Sequence, residues 1–401
     1  MTRLANVEVS TDARASLTRS VGLSGIGVVI FAPILYRTVF GPGGTDFEWH
    51  NNAAQGMWAD GGLHLPHFLY HLLTGALDAI THIGIRTSGF LICLIALASV
   101  PPLIATVLPL EGQPIKSAVV ALLVTIAAPI TIFTIAAQNL YFGYIPIITY
   151  HSPTMALMRP LAILNFLVVL KGLTTRRSGA RLYVFCIITL VLSGLAKPSY
   201  MICLLPAAVS FTVLRSVWKA ETSWRFVLSA VVFPSVALLC WQFYFTYVSH
   251  SATLVSTVDS TIIFAPLQAI HLISGSVALK LLASIAFPLA VTFTFRKSLG
   301  KYPEYYLSAL IFFFGTAYYY LLAESGAHMI DQNFLWGASM GLLLWFVICV
   351  RVLLLEAGLL GKGKVMSKSS VVSYVLLSLH FLCGFLWYWR EIRKPFLNAW
   401  W

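Results

Sequence analysis

The segment Asp46-Phe-Glu48-Trp-His50-Asn-Asn gathers two carboxylates, an imidazole and two amides within seven residues. If it is helical, Asp46, His50 and Ala54 follow at i, i+4 and i+8 on one face, and the small Ala54 allows close approach. A carboxylate beside an imidazole can take the proton of a weak nucleophile such as a hydroxyl. The same residues also suit a solvated loop in which Thr45 or Asp46 caps a helix after Gly43-Gly44.

Cationic partners for such a base are few. In Gly194-Leu-Ala-Lys197-Pro198-Ser199-Tyr200 a proline interrupts two short apolar runs. A break of this kind in a membrane is tolerated only inside protein or beside a wet cavity, and its lysine can either neutralise a phosphate or snorkel to the interface. Arg159, in the first turns of an apolar helix, has the same two readings. Just before that helix, Tyr150-His151-Ser152 can bind a sugar or a polar head group, or belong to the interfacial aromatic belt.

Two further polar groups stand out. Glu324, His328 and Asp331 follow at i, i+4 and i+7, while Asn333 and Trp336 add hydrogen-bond donors and a stacking surface suited to a sugar. Between Leu63 and His82, His64, His67, His71, Asp78 and His82 form one stripe of a two-faced helical pattern, with Leu65, Phe68, Leu69, Leu72, Leu73, Leu77 and Ile80 on the rest. The pattern suits a helix lying in the membrane interface. Its histidines have metal-compatible spacing but no acidic ligand close by, so no metal site is specified.

These residues are carried by a chain that cannot be soluble. Of 401 residues, 59% are hydrophobic and only 10% are Asp, Glu, Lys or Arg, and the mean hydropathy is +0.84. Soluble domains carry about a quarter charged residues. A cytosolic enzyme, a secreted domain and a disordered chain are excluded, and the net charge of +12 becomes a matter of topology, with no nucleic-acid partner implied. Cys93, Cys186, Cys203, Cys240, Cys349 and Cys383 lie in or against apolar runs without a CxxC pair, and read as small buried hydrophobes.

Apolar runs near 20–40, 87–109, 117–138, 155–171, 182–196, 199–214, 226–248, 272–294, 304–322, 335–355 and 371–389 predict an all-α polytopic bundle of about eleven spans, residues 1–401 forming one membrane domain. Alternating the connections puts most basic residues, among them Arg176, Arg181, Arg215, Lys219, Arg296, Lys301 and Lys368, on the side of the N-terminus, which is therefore cytoplasmic. The 41–86 loop falls outside, with Asp46, Glu48, Asp60, Asp78, Asp259, Glu324 and Asp331 on that same side. The tail with Arg390, Arg393 and Lys394 breaks the partition. No internal repeat, P-loop, GxSxG elbow or HExxH motif occurs.

This pattern resembles the membrane-embedded C-type glycosyltransferase superfold (GT-C). The resemblance rests on a first helix followed by a long loop opening with Asp46-Phe-Glu48-Trp-His50 and Ala54, and on an interfacial helix over about 64–82. Tyr150-His151-Ser152-Pro153, the Lys197-Pro198 break and Glu324…Asn333-Phe334-Leu335-Trp336-Gly337 add to it. It covers most of the chain as architecture, through short motifs. It implies transfer of a sugar from a polyprenyl-phosphate carrier on the extracytoplasmic face, in a bacterial inner membrane, for polysaccharide or cell-envelope biosynthesis. No large soluble C-terminal domain of the kind many members carry is present in these residues, so acceptor choice does not transfer.

Taken together, an inverting transfer to a glycan or lipid-linked acceptor hydroxyl is expected, with Asp46 as first and Glu48 as second choice of base and His50 beside them. The leaving phosphate needs cationic help, from Lys197 first and Arg159 second, with Tyr150 and His151 on the donor. Glu324, His328, Asp331, Asn333 and Trp336 are expected around the acceptor sugar. No cofactor is needed; a divalent metal is compatible with the chemistry without being specified. A polysaccharide polymerase or ligase using a lipid-linked oligosaccharide shares these features. A lipid or sugar transporter would instead need charges at mid-membrane.

Overall fold

The computed structural model describes residues 13–41, 46–108, 113–131, 143–176, 178–249, 261–357 and 367–393. It is a bundle of apolar helices, as a chain with so little polar surface must be, because a helix satisfies its backbone within itself. In order these are α1 (Ala13–Phe40), α2 (Asp46–Asp60), α3 (Leu69–Thr81), α4 (Ile85–Ala98), α5 (Val100–Val107), α6 (Pro114–Val124), α7 (Pro153–Thr174), α8 (Ala180–Ala196) and α9 (Ser199–Val217). There follow α10 (Trp224–Val248), α11 (Val277–Phe295), α12 (Pro303–Leu321), α13 (Leu335–Glu356) and α14 (Lys368–Arg393). Within α10, Val227–Val232 and Tyr244–Val248 are π-helical.

Among the described residues, eight helical segments are long and apolar enough to cross a membrane: Leu17–Phe40, Ile85–Val107 (α4 with α5), α7, α9, α10, α11, His328–Glu356 and α14. The chain is therefore an integral membrane protein. Three expected spans differ, one of them the 304–322 run, whose helix α12 is not among the eight. The 117–138 run is helical only to Val124, after which residues 125–131 form a turn and an irregular stretch; the rest of that run lies outside the described residues. α8 is apolar but spans only Ala180–Ala196.

α7 and α13 form the centre of the bundle. Along α13 nearly every residue from Gly337 to Leu354 is buried, and α7 buries even Arg159. Such all-round apolar helices belong in the interior of a bundle, not at its rim. Small residues bring the neighbours close. A Cβ on Gly341 would stand 2.6 Å from Phe312 Cα, and one on Gly315 would stand 2.7 Å from the Ala338 nitrogen. α12 and α13 thus meet backbone to backbone.

The two ends of the bundle differ in kind. At one end, Arg351 pairs with Glu304 at 3.3 Å and Tyr302 donates to Glu356 at 2.8 Å, near the Lys301 and Arg215 connections. The other end carries α2, α3, the irregular segment leading to Ser152, the α8–α9 break and a two-stranded sheet. In that sheet β1 (Ile262–Phe264) pairs antiparallel with β2 (Leu322–Glu324), Ile262 facing Glu324. Arg37 Nε donates to the Ile392 carbonyl, so α14 also finishes at this second end and brings Arg390 and Arg393 with it.

Candidate active site

α2 starts at Asp46 and carries Asp46 and Glu48 in its first turn, where carboxylates are stabilised by the exposed backbone N–H groups. The i, i+4, i+8 reading of Asp46, His50 and Ala54 therefore falls on a real helix, while Thr45, the alternative cap, lies outside the described residues. Asp46 stays exposed at the helix start, whereas His50 and Ala54 turn into the protein.

The predicted helix over 64–82 is shorter. Gly61 takes φ +69° and Pro66 follows, so the chain is irregular until α3 begins at Leu69. α3 ends where His82 and Gly84 adopt positive φ, and Asp78 Oδ1 accepts from the Gly84 nitrogen at 2.8 Å. The histidine stripe is divided by this break. His64 pairs with Asp60 at 2.6 Å on the exposed rim. His67 turns toward the interior cluster instead. α3 keeps its two faces: Leu69, Tyr70, His71, Thr74 and Gly75 are buried, while Leu72, Leu73 and Ile80 are exposed.

α2 and α3 are joined through two buried polar contacts. His50 Nδ1 lies 2.9 Å from His71 Nε2, and the Tyr70 hydroxyl donates to Asn51 Oδ1 at 2.7 Å. Burial, the neighbouring His71 and His67, and the Lys197 charge all hold His50 well below the usual imidazole range. Burial likewise lowers His67 to about 3, with Lys197 adding to it, and His71 to about 4.

Lys197 ends α8 in extended conformation, and Pro198 begins the next helix. Its Nζ lies 3.5 Å from Thr154 Oγ1 and 5.5 Å from the centroid of the Trp336 ring. Burial lowers its pKa, and Asp46 and Glu324 act against that by favouring the charged form. His151 joins the same group. Its ring lies 5.5 Å from that of Trp336, burial lowers it, and Asp46 opposes the shift. Asp46, His151, Lys197, Glu324 and Trp336, from five separate stretches of chain, thus surround one place. Gln242 of α10 ties its walls together by donating to the carbonyls of Pro66 and Gly194, each at 3.0 Å.

Other expected site residues lie elsewhere. Glu48 faces Arg86 at 3.8 Å on the surface, away from Lys197. The Tyr150 ring is buried against Phe31 and Tyr388, so it is a packing residue. Arg159 neither snorkels nor reaches an open surface: fully buried, it donates to the Thr149 carbonyl at 2.6 Å and to Thr149 Oγ1 at 2.7 Å. It still acts on His151 from within the protein.

The helical face expected for Glu324, His328 and Asp331 does not form. Strand pairing holds Glu324 in β2, and Gly326, at φ +69°, leads into a 3-10 stretch, Gly326–Asp331. Glu324 accepts from Asn333 Nδ2 at 2.6 Å and from the Tyr247 hydroxyl at 3.3 Å, while His328 pairs with Asp331 at 2.8 Å. A small pocket lies there, lined by Tyr319, Glu324, His328, Gln332 and Asn333 among others, with Asp331 outside it. Among the described residues no three His, Cys, Asp or Glu side chains converge to hold a metal ion.

Thr154 and Gln242 are residues of this site that sequence reading missed, and His67 was placed in the interfacial histidine stripe instead. Gln242 had a signal, an amide within an otherwise apolar run, since such groups in membrane helices find protein partners. Comparison of the chain with protein-family models, with curated proteins and with solved structures finds no match.

Proposed function

We propose that the protein is an inverting glycosyltransferase of GT-C type that takes a sugar from a polyprenyl-phosphate carrier. What carries this reading is the place of Lys197, a part-buried ammonium against the Trp336 ring at one end of an apolar bundle, whose charged form the Asp46 carboxylate favours. A carboxylate and a cation are the two groups that such a transfer requires.

In this reading the acceptor hydroxyl gives its proton to Asp46 as its oxygen bonds to the anomeric carbon. On the opposite face of the sugar, the bond from that carbon to the carrier phosphate breaks, and the bonding pair leaves with the phosphate oxygen. Lys197, stabilised by Trp336 and hydrogen-bonded to Thr154, counters the charge that develops there. Glu48, held by Arg86 on the surface, takes no part in the chemistry. Asn333, Glu324 and the ring of Trp336 supply hydrogen bonds and a stacking face for the acceptor sugar. The apolar walls around the site suit a substrate whose lipid tail stays in the membrane.

The site end is assigned to the extracytoplasmic side of a bacterial inner membrane. The basic connections at the opposite end, with Arg215, Arg296 and Lys301, then face the cytoplasm together with the N-terminus. Helices α6, α8 and α12 would complete the eight long spans to about eleven, and α3, with its exposed Leu72, Leu73 and Ile80, would lie in the interface.

The test is incubation of the purified protein with a panel of polyprenyl-phosphate sugars and glycan acceptors, measuring release of the carrier phosphate. Release by the native protein and its loss in Asp46→Asn is the expected result. Absence of release with every donor, from protein shown to be folded, would overturn the reading.

A further inference from the structure

The small pocket beside Glu324 lies where β2, the 3-10 stretch Gly326–Asp331 and the end of α12 meet. Ala269, Leu322, Met329 and Phe334 give it apolar walls, and Ala269 packs with Ala265 and Ala323 in a cluster of small side chains. It holds about 220 Å³ of free space counted to its open mouth. That suits one substituent of a ligand, since sites for whole small molecules run to about 300–1,000 Å³.

One polar side chain of the lining has a group to spare. Gln332 is only 8% exposed, and its Oε1 accepts from the Tyr319 hydroxyl at 2.8 Å. Tyr319 is itself 3% exposed, and among the described residues its hydroxyl has no other hydrogen-bond partner. The single proton of that hydroxyl therefore goes to Gln332, which fixes the amide with its oxygen toward Tyr319. The reversed amide would leave the Tyr319 proton buried without an acceptor. Nε2 of Gln332 has no hydrogen-bond partner. A buried amide nitrogen that donates to nothing is costly, and calls for an acceptor that the chain itself does not supply. The backbone is held as well, because the Gln332 carbonyl accepts from the Leu335 nitrogen at 2.8 Å where α13 begins.

The same pocket holds the complementary group. The Glu324 carboxylate accepts from Asn333 Nδ2 at 2.6 Å and from the Tyr247 hydroxyl at 3.3 Å, which uses two of its about four acceptor positions. His328, the remaining polar residue of the lining, is engaged with Asp331 at 2.8 Å. One donor, one acceptor and an apolar wall together fit a secondary amide that bears a methyl group. Its carbonyl would accept from Gln332 Nε2, its N–H would donate to Glu324, and its methyl would rest on Ala269, Leu322 and Met329. A hydroxyl would make the polar contacts and leave the apolar wall uncovered. A carboxylate would meet Glu324 with like charge.

We propose that the pocket of Gln332 and Glu324 is a subsite for the acetamido group of a 2-acetamido sugar, carried by the acceptor. The inference rests on the proposed glycosyl transfer for the acceptor's being a sugar, whereas the match between pocket and acetamide stands on the pocket alone. Glu324 and Asn333, already assigned to the acceptor, line it. Gln332 is then a specificity-determining residue, which selects the acceptor and takes no part in making or breaking bonds.

The experiment is saturation-transfer NMR on the full chain in lipid nanodiscs. The probes are the methyl glycosides of N-acetylglucosamine and N-acetylgalactosamine, each beside its parent hexose. One acetamido probe should bind with the strongest saturation on its acetyl methyl, and about ten-fold more tightly than its parent, as one hydrogen bond and one buried methyl together provide. Gln332→Met keeps the length of the side chain without its amide, and should reduce that preference several-fold. Neither acetamido probe binding better than its parent, strongest saturation on ring protons, or an undiminished preference in Gln332→Met would overturn the proposal. The comparison of probes on native protein decides even if the variant fails to fold. In the carrier-release assay, with a donor sugar lacking an acetamido group, acetamido acceptors should show the higher kcat/KM, and Gln332→Met should narrow the ratio. A preference for the acetamido group on the donor alone would also overturn the proposal. Absence of release with every donor, with acetamido binding as expected, would count against the proposed transfer and not against the subsite.

Discussion

The Lys197 ammonium lies 5.5 Å from the centroid of the Trp336 ring, and the same ring meets His151 with centroids 5.5 Å apart. A cation held against an aromatic face keeps part of the stabilisation it loses on leaving water. Trp336 thereby allows a part-buried lysine at the broken junction of α8 and α9, with Asp46 and Glu324 opposing the effect of burial. Phosphate binding by Lys197 and sugar stacking by Trp336 would be adjacent functions of one contact.

Replacing Lys197 by Ala should lower kcat and raise the apparent KM for the lipid donor, because the charge acts on bound substrate and on the departing phosphate. The loss in kcat should be about a hundred- to a thousand-fold, as for removal of other charge-stabilising donors. Steady-state kinetics with a polyprenyl-phosphate sugar measure both constants. Native kinetics in the variant would make Lys197 a structural residue.

Glu324 gives this lysine a pH signature. The Glu324 carboxylate raises the Lys197 pKa, against the lowering by burial. Glu324→Gln removes the raising influence, so Lys197 loses its proton at a lower pH. The alkaline limb of kcat/KM should therefore move to lower pH in the variant, and an unmoved limb would mean that Lys197 does not govern it.

The two carboxylates of the first loop should separate cleanly. Asp46→Asn removes the proton acceptor with little change of shape, so turnover should fall about a hundred- to ten-thousand-fold while donor binding survives. Glu48→Gln disturbs only a 3.8 Å surface pair with Arg86, of a kind worth about 0–1 kcal/mol, and turnover should stay near native. Carrier release by the two variants decides, and the reverse outcome would exchange the roles of the two residues.

Much of this site could be read from residue types, and the failures have physical causes. Asp46, Lys197, His151 and Trp336 stood out because polar groups are few in an apolar chain, and each sits where a helix starts or breaks. The face expected for Glu324, His328 and Asp331 failed because strand pairing with Ile262 and the positive φ of Gly326 prevail over helical spacing. Tyr150 differs from the expectation because the irregular stretch before α7 is buried throughout residues 143–150, and its ring packs against Phe31 instead of facing a donor. Membrane position was legible from composition alone, but the inward turn of His67 was not. It depends on Gln242, far away in sequence, holding the Pro66 carbonyl.

That tie gives a further prediction. Gln242→Leu leaves the carbonyls of Pro66 and Gly194 without their shared donor, next to His67 on one side and Lys197 on the other. The cost should be about 1–3 kcal/mol, the usual penalty for buried groups that lose a partner. A lowered Tm together with reduced kcat is expected, from thermal melts and carrier release on the same preparation. A lowered Tm with native kcat would show that the tie supports the fold without aiming the site.

Packing and chemistry should also separate along α13. Gly341 meets the Phe312 backbone near the middle of the helix, and a Cβ there would stand 2.6 Å from Phe312 Cα. Gly341→Val forces α12 and α13 apart, at a cost of about 1–3 kcal/mol or more for an overfilled interior. Tm should fall well below native, while the adjacent Ala338→Gly, which adds no atoms, should leave the two helices in contact. A native Tm in Gly341→Val would mean that the helices part without penalty.

The last prediction is the acid response of the fold. Burial lowers His67 to about 3 and His71 to about 4, against an ordinary value of 6.5. The unfolded chain therefore binds protons at these positions at a higher pH than the folded one does. Above pH 6.5 both states are neutral there and nothing is lost. As pH falls from 6.5 toward 4, and for His67 toward 3, the unfolded state gains protons that the folded state refuses, and stability declines. Tm in detergent micelles should be level above neutrality and fall through this window. In the double variant His67→Gln, His71→Gln the fall should be shallower, whatever the Tm at neutral pH, because only the slope reports proton binding. An equally steep fall in the double variant would mean that other groups, such as the buried His50, carry the acid sensitivity.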